Sequence, residues 1–259
     1  SDLVAGIKAG AVKSLVMLGG NPVYTAPGGL GFKKQLESVP FSVHLSMHVD
    51  ETSQEATWHL PAAHYLEAWG DLKATTGVVA IQQPLISPLC PSLSALELVA
   101  HMAGSKAQKG HDIVKAYWKK TLGNKFSPAQ WKPWLHDGVV SGTATKPVEL
   151  DLNKSNWSAL SGIPSAPSTL GKDELELNFV PSYNLFDGRF ANNPWLQETP
   201  DPLTKLTWDN AALVSPVLAE SLNLKDGTFV KLSHGNNSIE IPILRAPGIP
   251  EQSVFLPLG

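Results

Sequence analysis

The chain of 259 residues is 42% hydrophobic and 17% charged, a globular composition long enough for one large domain or two modest ones. A formal charge of −3, without any block of like charge, gives no electrostatic reason to expect a nucleic-acid partner. Cys90 is the only cysteine, which excludes an internal disulfide, a cysteine-based zinc site and an iron–sulfur cluster ligated by this chain alone.

At the N-terminus, Ser1 or Asp2 caps a short helix over residues 3–8 that ends at Gly10. There is no charged segment followed by an apolar one, so no signal peptide is read, and the opening looks like a cut from a longer chain. No apolar run approaches the roughly 20 residues needed for a membrane span. Ser14 to Leu18 forms a strand of continuous apolar character, the pattern of a strand covered on both sheet faces. Phe32, Leu36 and Val39 recur at helical spacing until Pro40 stops them. Residues 41–47 alternate as a second strand, 51–57 suggest a helical turn, 58–60 a third strand broken by Pro61, and 78–81 a fourth. Ser94 and Glu97 form a capping-box pattern at the head of a helix that runs to Gly104. Strands alternating with helices over short connections predict a parallel, doubly wound α/β layer.

Residues 105–137 read as helical, with Ile113, Tyr117 and Trp118 on one helix and Trp131, Trp134 and Leu135 on another opened by Ser127-Pro128. Residues 138–171 are aperiodic and read as a connection, with a possible edge strand at 148–152. From Glu174 onward the pattern is β: 175–180, 213–214, 228–232, 238–244 and 253–256 are short strands among Gly, Asn and Pro turns, which predicts a small barrel. Ser215-Pro216 opens a helix through Leu222, and Asp226-Gly227 is a turn. The expected division is residues 1–104, an α/β domain; 105–171, a helical insert and connection; and 172–259, a β-barrel domain.

Several stretches bear on chemistry. Gly19-Gly20-Asn21 after a strand presents backbone N–H groups suited to an anion, yet it is neither GxGxxG nor a Walker loop, and Pro22 has no N–H to give. His44 and His48 on one strand face stand about 13 Å apart, too far for one metal, and His59 and His64 lack helical metal spacing, so satisfied structural histidines are the expectation. Asp50-Glu51 and Glu67 could supply an acid/base pair, but nothing fixes their separation, and with Thr52 behind it Asp50-Glu51 fits a helix start, where the dipole favours carboxylates. Cys90, between Pro88-Leu89 and Pro91, reads as a buried small hydrophobe. Trp58, Trp118, Trp131 and Trp134 are expected in the core, while Trp195 and Trp208 flank a Pro-rich loop and suit an interface or a pocket. No catalytic residue and no metal ligand is assigned.

Taken together, these stretches resemble the molybdopterin oxidoreductase superfamily. Leu18-Gly19-Gly20-Asn21-Pro22 resembles its G-x-NP turn. Residues Glu51 to Pro61 resemble its ETa…ADvvLP signature, with Glu67, Gly70 and Gly77 following at the family's spacing. Val214-Ser215-Pro216, Ala219 and residues 224–230 resemble the inPedA and lGi-dGd-V segments of its C-terminal double-psi-type barrel. Thr57 stands where the family has Asp, and Val78 where it has Arg, so two polar supports of a phosphate-rich site are replaced.

The stretches GGNPVY, DET with WHLPAAHYLEAW, and NNPWLQETPDPLTKLTWDNAALVSP are similar to one branch of that superfamily, the large iron–sulfur subunit of alternative complex III. That resemblance implies the C-terminal half of a molybdopterin-like region that has lost its molybdenum cofactor, with iron–sulfur clusters only elsewhere in the full-length chain. It implies quinol oxidation by the whole complex, partner subunits in a membrane-bound assembly, and a periplasmic location at the bacterial inner membrane. The alternative implied by the superfamily is a genuine molybdenum-bis-pterin enzyme binding molybdopterin guanine dinucleotide. There Gly19, Gly20, Asn21, Asp50, Glu51 and Thr52 would contact one dinucleotide, and Trp195, Glu198 and Thr199 would contribute from the barrel side.

Overall fold

The computed structural model describes residues 2–149, 170–171 and 174–259, in two compact units, Ser1–Leu150 and Asp151–Gly259. The possible edge strand at 148–152 falls largely outside the described residues.

The first unit opens with α1 (Asp2–Lys8), β1 (Ser14–Leu18), the short α2 (Pro22–Thr25), α3 (Phe32–Glu37), β2 (Phe41–Ser46), α4 (Glu51–Glu55) and β3 (Trp58–Pro61). The three strands form a parallel sheet in the order β1-β2-β3, with Val16, Val43 and Trp58 abreast and Met17, His44 and His59 in the next row. One-directional order with right-handed crossovers places both connections on one face. There Val4, Met17, Phe32 and Leu36 make a small buried core, joined by Leu15, Val23, Leu30 and Ala56. The expected double winding is therefore half present: among the described residues this sheet has its helices on one side.

The anticipated fourth strand does not join it. β4 (Gly70–Lys73) and β5 (Val79–Gln82) form an antiparallel hairpin, extended by β6 (Val139–Val140). Gly77, at φ +82°, makes the turn, and a Cβ there would lie 2.6 Å from the Thr145 side chain. The hairpin is short-looped and local, and a parallel partner would need a long crossover instead. Helices α5 (Ala95–Met102), α6 (Gly110–Leu122) and α7 (Pro128–Asp137) follow. Trp118, Trp131 and Trp134 pack with Val79, Ile81, Val114 and Val140 in one core, and Trp118 Nε1 donates to Asp71 at 2.7 Å. The helical stretch thus shares its core with the hairpin. Of the four tryptophans expected inside, Trp58 is the exception, 60% exposed on β3.

Ser94 and Glu97 cap α5 reciprocally, as the pattern predicts, and Glu97 also accepts from the Gly110 N–H at the head of α6. Burial pushes the Glu97 carboxyl up, but the Ser94 N–H, the Ser94 hydroxyl and the Gly110 N–H outweigh it and hold it below its ordinary value.

The second unit contains β7 (Glu176–Pro181), α8 (Pro194–Glu198), β8 (Ala212–Val214), α9 (Pro216–Ser221), β9 (Phe229–His234), β10 (Asn237–Arg245) and β11 (Ser253–Leu258). They make a five-stranded mixed sheet in the order β7-β11-β8-β10-β9. β11 runs parallel to β7 and β10 parallel to β8, whereas β11–β8 and β10–β9 are antiparallel. The edge strands β7 and β9 are not paired with each other among the described residues, so the expected barrel is observed as a mixed sheet. Ala212, Val214, Ala219, Ile241, Ile243, Val254 and Leu256 form its core. Among the described residues no helix is long and apolar enough to cross a membrane.

Candidate functional site

The carboxyl ends of β1 and β2 bring Gly19, Gly20 and Asn21 against Asp50, Glu51 and Thr52, the place where open α/β sheets receive ligands. Gly19 and Gly20 both have φ +72°, a left-handed pair that turns the chain off β1 while the Gly19 N–H donates to Leu45 O at 2.8 Å. Asn21 precedes α2 yet makes no side-chain cap to it. Its side chain reaches instead to the head of α4. Asn21 Oδ1 accepts from the Thr52 hydroxyl at 2.7 Å and from the Thr52 N–H at 3.2 Å, and Asn21 Nδ2 donates to Glu51 Oε2 at 2.6 Å. The Thr52 oxygen in turn accepts from the Val23 N–H at 3.0 Å. Asp50 is the N-cap of α4, as the acidic pair before Thr52 predicts, accepting from Ser53 N–H at 2.8 Å and from the Ser53 hydroxyl at 2.9 Å.

Beneath this ring lies His44, with no solvent exposure. Its Nε2 is 2.9 Å from Gly20 O, and because a carbonyl only accepts, Nε2 carries the proton. Its Nδ1 is 2.9 Å from Ser53 Oγ and 3.5 Å from Asp50 Oδ1. His59 is fixed in the same way, its Nε2 3.1 Å from Ser46 O, while the Ser46 hydroxyl donates to His48 O at 2.6 Å. Both histidines are hydrogen-bonded fixtures of the sheet. Among the described residues no group of three His, Cys, Asp or Glu side chains is arranged to hold a metal.

Thr57 and Glu67 also have structural partners. The Ser42 N–H donates to Thr57 Oγ1 at 3.0 Å and the Thr57 N–H to Ser42 Oγ at 2.9 Å, stitching β3 to β2. Glu67 accepts from the N–H of Leu89 and of His64, both at 3.0 Å, and these two donors hold its carboxyl below the usual range. They tether the Pro-rich strap of residues 84–91. Cys90 lies on that strap and is exposed, not buried, because the prolines on either side keep this short segment on the surface. Val78 sits beside the β4–β5 turn, in the hairpin.

In the second unit Asn193 caps α8, accepting from the N–H groups of Trp195 and Leu196 at 3.1 and 3.4 Å. Thr199 closes the helix by donating to Trp195 O at 2.8 Å, and Thr199 O accepts from Asn184 Nδ2 at 2.6 Å. A cavity of about 700 Å³ opens beside it, lined among others by Ser182, Asn184, Thr199, Asp201, Trp208 and Asn210. Thr199 faces this cavity; Trp195 and Glu198 do not line it, and Trp195 is 81% exposed. Burial pushes the Asp201 carboxyl up, but the Thr204 and Leu203 N–H groups, the Thr204 hydroxyl and nearby Lys205 outweigh it, so it is held ionised. Phe186, Lys205 and Trp208, at φ 59°, 63° and 60°, are non-glycine residues in the left-handed region around this cavity. The sequence marks Trp208, and Asp201 falls inside the stretch from Asn192 without standing out in it; Ser182 and Asn184 belong to no motif.

The two places share one electrostatic property. Neither Asp50 nor Glu51 is paired with a lysine or arginine among the described residues, and no lysine, arginine or histidine lines the cavity, which has Asp201 and Asp209 in its wall. A dinucleotide carries a pyrophosphate. These donor sets offer it carboxylates and no cation, and at the β1–β2 turn the side-chain polar groups are already bonded to one another, so this turn does not fit that group.

No family model matches the chain. Across its whole length the chain is 23% identical to the menaquinone reductase molybdopterin-binding-like subunit of Nitratidesulfovibrio vulgaris, 37% of which the match covers. It is 22% identical over 99% of its length to the assimilatory nitrate reductase catalytic subunit of Bacillus subtilis, covering 39% of that protein. Its fold is similar to that of acetylene hydratase from Pelobacter acetylenicus, with a TM-score of 0.61 at 15% identity over 98% of this chain and 38% of that one. The chain thus spans less than two fifths of the length of the curated relatives it matches.

Proposed function

We propose for this chain, which belongs to the molybdopterin oxidoreductase superfamily, the role of a non-catalytic scaffold segment in the large subunit of a respiratory complex that oxidises quinol. In this reading the segment has lost the molybdenum cofactor, the arrangement of the alternative complex III type. It positions neighbouring redox modules and subunits on the periplasmic side of the inner membrane, and iron–sulfur clusters belong to other parts of the full-length polypeptide.

The observation that carries the reading is the closed ring of Asn21, Glu51 and Thr52 over buried His44. A turn that receives a dinucleotide presents free donors toward it. Here the side chains are turned onto one another and the local charge is acidic. The relative named a menaquinone reductase molybdopterin-binding-like subunit supports a quinone-linked assembly. The interleaved parallel and antiparallel pairs of the second unit support reading it as the family's double-psi-type module.

Metal and pterin analysis of the full-length protein tests the proposal. Molybdenum and tungsten are expected far below one atom per chain, with no fluorescent pterin released on oxidative denaturation. Stoichiometric metal with pterin would overturn it in favour of a genuine bis-pterin enzyme. The open cavity beside Thr199, within the size range of small-molecule sites, is the observation that favours that second reading.

A further inference from the structure

The contacts around buried His44 call for one more proton than a neutral ring supplies. Nε2 donates to Gly20 O at 2.9 Å, and Nδ1 stands 2.9 Å from Ser53 Oγ, which is itself 2.9 Å from Asp50 Oδ1. A hydroxyl has a single proton to donate. With a neutral ring, Ser53 donating to Nδ1 leaves its lone pairs against the Asp50 carboxylate. Donating to Asp50 leaves them against a bare Nδ1, and turning to His48 O, 3.2 Å away, satisfies neither. A second ring proton makes both short contacts attractive: Nδ1–H donates to Ser53 Oγ, and Ser53 Oγ–H donates to Asp50 Oδ1. That proton belongs on the ring and not on the carboxyl group, since imidazole is the stronger base of the two. The Ser46 hydroxyl is already turned to His48 O at 2.6 Å and accepts from His59 Nε2 at 3.1 Å.

The charge has a counter-ion. Asp50 Oδ1 lies 3.5 Å from Nδ1, and among the described residues Asp50 has no lysine or arginine partner. Of the elements packed on the ring, β1 brings Met17, and β3 brings His59, whose ring centre is 6.4 Å away and whose Nε2 is bonded to Ser46 O. α4 brings Asp50, while its Glu51 and Glu55 are engaged by Asn21 and Lys33.

We propose that His44 is an imidazolium joined to Asp50 through the Ser53 hydroxyl, and that this relay is a pH-sensitive clasp on the turn from Gly19 to Asn21. At one end Nε2 holds the Gly20 carbonyl. At the other, Asp50 and Ser53 form the head of α4, whose Glu51 and Thr52 bond Asn21. When the Nδ1 proton leaves to solvent, Nε2 keeps its bond to Gly20 O, and Ser53 loses one of its two partners. The head of α4 then loosens, and with it the hold of Thr52 on Asn21. The folded chain keeps a proton that the unfolded chain gives up at about pH 6.5, so the clasp contributes fully below that pH and is lost as pH rises. The pair is neutral overall and the ring has no solvent exposure, so it adds no cation to what the turn offers a ligand.

Hydrogen–deuterium exchange of the full-length protein tests this, read by mass spectrometry at the imidazole C2 position and at backbone amides. The pH profile of C2 exchange reports the charge on each ring. In the unmodified protein His44 is expected to be charged at pH 7, where an ordinary histidine is mostly neutral, and to become neutral before pH 9. Asp50→Asn keeps an N-cap acceptor and removes the counter-charge, and is expected to move that transition down by at least about one pH unit, a tenfold change in proton affinity. Amide protection over residues 52–56, referred to that of α5, is expected to fall about tenfold as the unmodified ring loses its proton. A ring already neutral at pH 7 overturns the proposal, and so does one still charged at pH 9. Amide protection that does not follow the ring, or a transition unmoved by Asp50→Asn, overturns it too. All but the last are read on the unmodified protein, so the outcome does not depend on the variant folding.

Discussion

At the ends of β1 and β2 the polar side chains bond chiefly to one another, whereas in the segment from Ser182 to Asn210 they bond mostly to backbone groups beside a cavity. The first place is compact: Asn21 uses both ends of its amide, Thr52 both donates and accepts, and His44 holds Gly20 from below. The second keeps a cavity of about 700 Å³ and tolerates three non-glycine residues in left-handed backbone around it. Polar groups left without a partner cost about 1–3 kcal/mol each when buried. The strand-end turn meets that cost by internal pairing. The cavity segment meets it with main-chain partners, as Asn184, Thr199 and Asp201 show, and its strained residues persist there because the surrounding turns hold them.

The sharpest way to break this contrast is to open the closed place. His44→Leu removes the donor to Gly20 O and the partner of Ser53 within a fully buried position, and is expected to cost about 3 kcal/mol in urea-induced unfolding. A loss under about 0.5 kcal/mol would mean that the turn stands without support from below. Asn21→Asp is expected to cost about 1–2 kcal/mol at pH 7, since a new carboxylate would face Glu51 and the donor to it would be gone. A penalty no larger than that of Asn21→Ala, which removes the same bonds without adding a charge, would sink the charge explanation. At the open place the sign reverses. Lys205→Gly relieves a left-handed residue at an exposed position, and unfolding should show a gain of about 0.5 kcal/mol after the added freedom of the unfolded chain is counted.

Much of this architecture is legible in the sequence where local chemistry decides it. The apolar run before Gly19, the Asp50 cap, the Ser94 and Glu97 capping box and the alternation of residues 175–180 each specify an element within a few residues of itself. Partner choice is less legible. Strand 79–82 has the composition of a parallel core strand, yet a turn at Gly77 pairs it locally with residues 70–73, a segment too short and too polar to announce itself. Trp58 reads as core because tryptophans usually are, and it lies on the uncovered face instead. In the candidate site, the motif residues at 19–21 and 50–52 do converge, and their spacing foretells that much. That Asn21 turns toward Thr52 and not outward depends on a side-chain torsion, which no residue pattern encodes.

The strand order of the second unit carries a consequence for how the molecule is made. β11, the last strand among the described residues, lies between β7 and β8 and pairs with both. Until the ribosome has delivered residues 253–258, β7 has no neighbour to bond and the sheet remains two separate pieces. The hairpin of β9 and β10 and the three parallel strands of the first unit need no such wait, since their partners are close in sequence. Residues 253–258 therefore enter as a strand in the middle of a sheet whose flanking pieces come earlier in the sequence. Until then the flanking edges are open to wrong pairing, and a chaperone would have most to protect during that interval.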